Sequence, residues 1–337
     1  MSPIALGSRV TIGDVAFLAK VSKTTVSHVL SGNRPVSKGT KERVEEAIRA
    51  LGYRPHRVAR SLRTKTSHLV ALVIPDIANP FYPVVARGVE DGLAGAGYRA
   101  IICNTDRHPE REVEFLQEMA DRGADGIVLD SYTLTAERIA SVIPPTIPVM
   151  RIGPSMPGER GYDTVHADDE HGARDATEHL LRGSGSRTAM IQGPPGAGSL
   201  RNAGYFHALA DAHVPVDPTL VVSGGWTRPG GHDAMEWLLD LREPPTGVFC
   251  ANDLMALGAL DAARERGIAV PAELRIVGFD DIEAAATSVP ALTTISNPAY
   301  EIGLLAGIML GERMRREHTG PSRGVVLPCR LVRRVSA

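Results

Sequence analysis

Apolar positions recur along this chain in two rhythms, and the change between them near residue 67 divides it. Up to residue 53 the spacing is helical. Val15, Ala16, Leu18 and Ala19 make one small apolar face, Val26, Val29 and Leu30 a second, and Val44, Ala47, Ile48 and Leu51 a third. Thr11 and Asp14 stand at the spacing of a capping box, and Ser22 precedes the second helix. Ser37 follows the turn GNRPV and can cap a third helix that runs to about Leu51. Three short helices can close one small core, so the pattern predicts a three-helix headpiece over 9–54 whose first two helices form a helix-turn-helix.

From His68 onward short apolar runs alternate with helical segments. HLVALVI, YRAIICN, DGIVLD and IPVMRI read as strands, with helices near 80–96, 109–121 and 135–142. RTAMIQG, TLVVSGG, GVFCAND and LRIVGFD follow, with helices near 169–182, 198–212, 229–240 and 253–266. A helix near 298–317 and a last strand, GVVLPCRLV, come after the second series and could belong with either. Such alternation predicts an α/β core of parallel sheets with helices on both faces, and two series predict two similar lobes.

Between the two rhythms lies YRPHRVARSLRTK. Pro55 breaks the preceding element, and 57–63 has helical composition, yet about eight residues is too short for a stable isolated helix in water. Arg54, Arg57, Arg60 and Arg63 repel one another until phosphates neutralise them. The segment reads as a hinge that orders when docked, with a plain solvated linker as the alternative.

Charge sharpens the division. Residues 1–66 hold 13 Lys and Arg against 4 Asp and Glu, while the remaining residues hold 24 against 35. A basic head on an acidic body suits a polyanion partner for the head alone. Lys23, Thr24, Thr25, Ser27 and His28 lie near the outer surface at the start of the second helix, where a helix-turn-helix presents side chains to a major groove. Cys103, Cys250 and Cys329 are too far apart for a metal motif or a disulfide framework and suit packing in a reducing compartment. No apolar run is long enough to span a membrane or to serve as an export signal, so a cytoplasmic chain with no membrane partner is expected.

Open parallel sheets bind ligands beyond the carboxyl ends of their strands. Those positions here are strongly polar: Asp76 and Asn79, Asn104 and Asp106, Asp130, the stretch 193–201, Trp226 and Arg228, Asn252 and Asp253, Asp280 and Asp281. If the lobes face each other, they converge on a cleft suited to a compact polar solute. Asp and Asn at strand ends also cap helices, which is the better reading for Asp253 and Asp281; Trp226 could equally fill a lobe interface. Catalytic signals are weak. No G-x-S-x-G, Walker A or H-E-x-x-H occurs, and GPPGAGSL lacks the lysine of a phosphate-binding loop. His166 and His171 flank Asp168 and Asp169, but a strand-to-helix turn explains them better than a metal. Neither cofactor nor metal is expected.

The segments TIGDVAFLAKVSKTTVSHVLSG, VSKGTKERVEEAIRALGYRP, VARSLR, DIANPFY, DGIVL, RNAGY, FCANDLMALGAL, IVGFDDIE and PALTTI, in this order and spacing, resemble the lactose repressor/galactose repressor (LacI/GalR) family from about Val10 to Val332. The resemblance implies a headpiece, a hinge helix at 55–66 and a core at 67–337 similar to periplasmic sugar-binding proteins, acting as a homodimer or dimer of dimers on pseudo-palindromic double-stranded operator DNA. The expected lobes are about 67–166 with 297–322, and 167–296 with 323–337. Lys23, Thr24 and His28 match the family's base-reading positions; Leu62 matches its minor-groove wedge, with Arg63 beside it. Thr11, Ser22, Thr25, Ser27, Asn33 and Arg57 complete the expected DNA-facing set. Arg201, Asn252 and Asp280 match effector-holding positions, Trp226 a pocket aromatic, and Phe81 with Asp76 and Asn79 the first-lobe side; Asp130 joins them at the end of its strand. Lys20 stands where glycine is usual at the turn, His56 where asparagine often precedes the hinge helix, and His28 where arginine is frequent.

The resulting expectation is a non-enzymatic, sequence-specific transcriptional regulator, a repressor in the commonest case, whose operator affinity answers to a small polar effector. A carbohydrate is the first choice of effector and a nucleobase or nucleoside, as in a co-repressor-dependent purine-type regulator, the second. The rivals are a cytosolic solute-binding protein with incidental N-terminal helices and an enzyme that uses the cleft.

Overall fold

The computed structural model describes residues 10–31, 34–53, 66–131, 133–154, 161–182, 187–194 and 199–337. Asn33, Arg57, Leu62, Arg63 and all but the last residue of the expected hinge at 55–66 lie outside them. The chain divides into two compact units, Met1–Ser67 and His68–Ala337.

In the first unit, α1 (Ile12–Leu18), α2 (Lys23–Ser31) and α3 (Lys38–Leu51) pack around Val15, Ala16, Ala19, Val26, Val44 and Ala47. The Asp14 carboxylate accepts from both the backbone N–H and the hydroxyl of Thr11 at 2.8 Å, which fixes the start of α1. Ser22 Oγ accepts from the Thr25 N–H at 3.0 Å and does the same for α2. Two expectations need correction. Ser37 occupies the N-cap of α3, but its hydroxyl donates to Thr40 Oγ1 instead of accepting from a backbone N–H. Leu18 is 49% exposed, and Ile12 takes the expected place beside the core, because the two helices packed on α1 cover its Ile12–Val15–Ala19 side.

Lys20 closes the turn between α1 and α2 with φ of 54°, the left-handed region that a side chain disfavours. Lys20→Gly is therefore expected to stabilise the headpiece by about 1 kcal/mol. Its melting transition followed in the whole chain checks this, and an unchanged or lowered midpoint would contradict it.

The second unit holds two six-stranded sheets of the same strand order. The first runs β11 (Gly324–Leu327), β5 (Asp163–Ala167), β4 (Val149–Ile152), β3 (Gly126–Asp130), β1 (Leu69–Ile74), β2 (Arg99–Asn104), all parallel. The second runs β12 (Arg330–Val332), β10 (Thr293–Ser296), β9 (Arg275–Asp280), β8 (Gly247–Cys250), β6 (Thr188–Gln192), β7 (Val221–Ser223), parallel except for β12. The helices are α4 (Phe81–Ala94), α5 (Pro109–Asp121) and α6 (Ala136–Val142), then α7 (Asp169–Leu181), α8 (Ser199–Asp211), α9 (Arg228–Leu239), α10 (Asp253–Glu265), α11 (Glu283–Thr287) and α12 (Ala299–Met314). The three cysteines are free and buried, and burial pushes the Cys103 thiol up to about 11, in keeping with a packing role.

The segment 323–337, expected to belong wholly to the second lobe, is shared. β11 pairs with β5 in the first sheet, Pro328 and Cys329 break the run, and β12 pairs with β10 in the second. The chain thus passes between lobes three times, after Ala167, after Ser296 and at 328–329. Helix α12 returns to the first lobe and lies on α4 at backbone contact. A Cβ on Gly88, Gly92 or Gly303 would land on a carbonyl of the facing helix, and one on Gly307 would sit 2.6 Å from the Val89 oxygen. Strand β5 carries no apolar alternation because Asp163 and Thr164 are buried polar residues; Asp163 pairs with Arg313 at 2.7 Å and Arg323 at 3.0 Å.

Candidate functional site

On the headpiece, Lys23 and Thr24 are exposed at the start of α2, while Thr25, Ser27 and His28 are half-buried. The Lys23 side chain lies back over α1, so that a Cβ on Gly13 would be 3.2 Å from its Cε. Ser22 and Thr25 share a hydroxyl contact of 2.9 Å, and Thr11 is held by Asp14. These three hydroxyls organise the helix starts. At this end Lys20, Ser22, Lys23 and Thr24 are all exposed, and Lys23 and Thr24 lie on the first turn of α2.

In the second unit the carboxyl ends of strands from both sheets meet at a cleft. It is lined by Asp76, Asn79, Phe81 and Tyr82 from the first lobe and Asp169, Arg201, Trp226, Asn252 and Asp280 from the second, together with Pro75 and Arg107. Arg201 is central. Its Nε donates to Asp169 Oδ1 at 3.0 Å, its Nη1 lies 3.3 Å from Asp280 Oδ1, and its guanidinium covers the Phe279 ring at 3.8 Å. The side chain is only 12% exposed and Asp280 only 6%, so this pair sits in a medium where charges interact strongly. Burial raises the Asp280 carboxyl to about 6 despite the opposing pull of Arg201.

Asn252 does two jobs. Its Oδ1 accepts from the Met255 N–H at 2.9 Å to cap α10, and its Nδ2 donates to the Trp226 carbonyl at 3.3 Å. Trp226 has φ of 64°, and its indole packs on Gly193, where a Cβ would overlap the ring. The cleft is bordered by three turns of consecutive left-handed residues: Asp106 and Arg107, Gly225 and Trp226, Asp280 and Asp281. Only one of the six is glycine. Such conformations persist where the surroundings over-determine them, and they cluster at functional sites.

Of the eight residues expected to hold effector, seven line this cleft and Asp130 does not. Asp130 lies buried behind Tyr82, whose hydroxyl donates to it. Asn79 uses its Oδ1 to accept from the Phe81 N–H at 3.1 Å, and Asp76 Oδ1 accepts from Ala78 at 3.0 Å, so the first-lobe pair shapes its own turn as well. Asp253 is buried, accepting from Ile282 N at 2.9 Å and Thr294 Oγ1 at 2.6 Å, and Asp281 pairs with Arg334; neither lines the cleft. Tyr82, Arg107 and Asp169 line it without having been singled out as ligands. Asp168 caps α7 through the His171 N–H, and no metal-holding group of side chains occurs among the described residues.

Burial first, and then the nearby Glu112 and Asp169 charges, raise the Asp130 carboxyl to about 7. A carboxyl raised in the folded state contributes its stability below its unfolded value of 3.8 and loses it as pH rises through about 7. Asp130→Asn keeps an acceptor for Tyr82 and is expected to flatten that loss, gaining on the order of 2–4 kcal/mol relative to the parent between about pH 4 and 8. Parallel pH-dependent denaturant curves for the two proteins would refute this by superimposing.

Known proteins match along nearly the whole chain. The model of bacterial regulatory proteins of the lacI family matches residues 11–56, and that of the periplasmic binding protein-like domain matches residues 177–337. Catabolite control protein A of Priestia megaterium is 37% identical over 96% of this chain and 97% of its own length. The HTH-type transcriptional repressor CytR of Escherichia coli (strain K12) is 36% identical over 97% and 96%. Among solved structures, the lac repressor dimer bound to operator and the anti-inducer ONPF superposes with a TM-score of 0.86 at 26% identity over 98% of this chain and 99% of that one. The complex of transcriptional regulator CelR with cellobiose gives 0.73 at 31% identity over 98% and 100%. With relatives of 36–37% identity over nearly all of both chains and the lacI model on its first helices, the chain belongs to the LacI family of DNA-binding transcriptional regulators.

Proposed function

We propose that this regulator binds a pseudo-palindromic operator as a homodimer, represses from it, and answers to a small sugar or sugar derivative held in the cleft. The observation that carries the reading is the cleft itself: Arg201, fixed between Asp169 and Asp280, stands beside Asn252 and the Trp226 ring, so hydroxyls and an apolar sugar face can be met at once. A cellobiose-bound and a ribose-bound regulator are among the structures similar to this one. Lys23 and Thr24 supply contacts to base edges or phosphates on each half-site, and the linker arginines add phosphate contacts.

Effector acts by population shift: it binds two placements of the lobes unequally, and the paired hinge segments order on DNA in only one of them. The cleft returns its ligand unchanged, so no turnover is involved, and the protein works in the cytoplasm on chromosomal DNA. No helix among the described residues is long and apolar enough to cross a membrane.

Titrating the whole protein with duplex fragments from upstream of its own and neighbouring genes tests the reading. One fragment should bind tightly, with affinity falling by a log–log slope of about −0.9 for each phosphate neutralised. Leu62→Ala should weaken that binding and leave effector affinity intact. Failure of every fragment to bind at low salt would overturn the assignment.

A further inference from the structure

Two of the left-handed turns face each other across the mouth of the cleft. In the first lobe the chain leaves β2 at Asn104 and reverses through Asp106 (φ 52°) and Arg107 (φ 63°). This turn is held on several sides. Asn104 Nδ2 donates to Asp106 Oδ1 at 2.6 Å, the Arg111 guanidinium pairs with Asp106 Oδ2, and the Arg107 N–H donates to the Pro75 carbonyl at 3.1 Å. The outcome is that Arg107 is thrown across the cleft. Its Nη1 donates to the carbonyl of Gly225 in the second lobe at 2.9 Å, and its Nη2 lies 3.7 Å from Asp76 Oδ2 in the first.

Gly225 is the residue before Trp226, whose own carbonyl is held by Asn252. The tryptophan turn is therefore gripped from its own lobe by an amide and from the opposite lobe by a guanidinium. We propose that Arg107 is a positioning residue of the cleft: it draws the Gly225–Trp226 turn onto the first lobe and sets the closed place of the indole before any effector enters. A planar guanidinium suits the task because it can donate to a carboxylate and a carbonyl in two directions at once, which a lysine ammonium does less well. The biological meaning of this rests on the cleft being the effector site, but the positional claim does not.

The chain has two tryptophans, and Trp237 is half-exposed on α9, so Trp237→Phe in the whole protein leaves Trp226 as the sole indole emitter. Acrylamide, a small neutral quencher, then reports its accessibility without any effector. Arg107→Met is expected to raise the quenching constant about threefold as the open placement gains population, and Arg107→Lys to restore part of the protection. The cooperative melt of the core should persist in both. Quenching of Arg107→Met equal to that of the parent would overturn the proposal, and so would a rise that comes only with loss of the cooperative melt. Either result leaves the effector assignment standing, because effector binding is measured separately.

Discussion

Arg201→Ala is expected to abolish the effector response while leaving operator binding in place. The guanidinium stands between two carboxylates, with Asp169 at 3.0 Å and Asp280 at 3.3 Å, in a site where both Arg201 and Asp280 are largely buried. Removing the cation leaves uncompensated negative charge, and breaking a buried pair in this way costs about 3–5 kcal/mol. The loss carries a pH signature. Asp280 is already raised by burial to about 6 and is restrained from rising further by Arg201. Without that restraint its neutral form is favoured over a wider range, and a group raised in the folded state loses its stabilising contribution as pH increases. The variant's deficit should therefore be large near pH 8 and smaller near pH 5. Reporter assays for induction, anisotropy on operator DNA, and denaturant curves at the two pH values measure the three parts. A variant that responds at the normal effector concentration would remove Arg201 from the site.

Gly303→Ala is the substitution with the largest expected effect away from the cleft. α4 and α12 meet at glycine on both sides, and an added Cβ at 303 points at the Val85 carbonyl of the facing helix. Nothing flexible stands in the way to yield; the obstacle is backbone. The helices must separate, which exposes part of the core formed by Val85, Val89, Ile302 and Ala306. Overpacking costs typically 1–3 kcal/mol, and a contact of backbone on backbone belongs at the top of that range, about 3 kcal/mol. Urea unfolding of the whole chain should show a lower midpoint with the slope preserved. A loss below about 1 kcal/mol would mean that the helices tolerate greater spacing than their contact implies.

Much of this was legible in the chain before its structure. The capping pair Thr11–Asp14, the N-cap Ser22 and the buried Val26 and Val44 follow from local rules that the structure keeps. Leu18 escaped because a helix of seven residues has too few positions for periodicity to say which side its neighbours cover. Strand β5 escaped because its first two buried residues are polar, and Asp163 is satisfied by partners about 150 positions away, as in the Arg313–Asp163 pair. In the cleft, strand-end position alone gave a wider set, of which Asn104, Asp106, Arg228, Asp253 and Asp281 do not line it; the family resemblance narrowed the set to residues that include Arg201, Trp226, Asn252 and Asp280, which do. Arg107 was in neither set. Its place depends on two consecutive left-handed residues that no short pattern announces, and its partner lies on the far lobe. Asp130 was misplaced because a strand end tells where a side chain begins, and the Tyr82 ring that stands between it and the cleft comes from a different element.

The three passages between the lobes act together as a mechanical joint. Two of them are tied to each other, since the Asp168 N–H donates to the Leu327 carbonyl at 2.8 Å. A single strand would let one lobe swivel freely, whereas three short straps restrain twisting and sliding more than bending. Motion of one lobe is then delivered to the other as a hinge angle with little lost in play. Lengthening one strap by a few residues, at 328–329 for example, would slacken the joint without touching any side chain that lines the cleft.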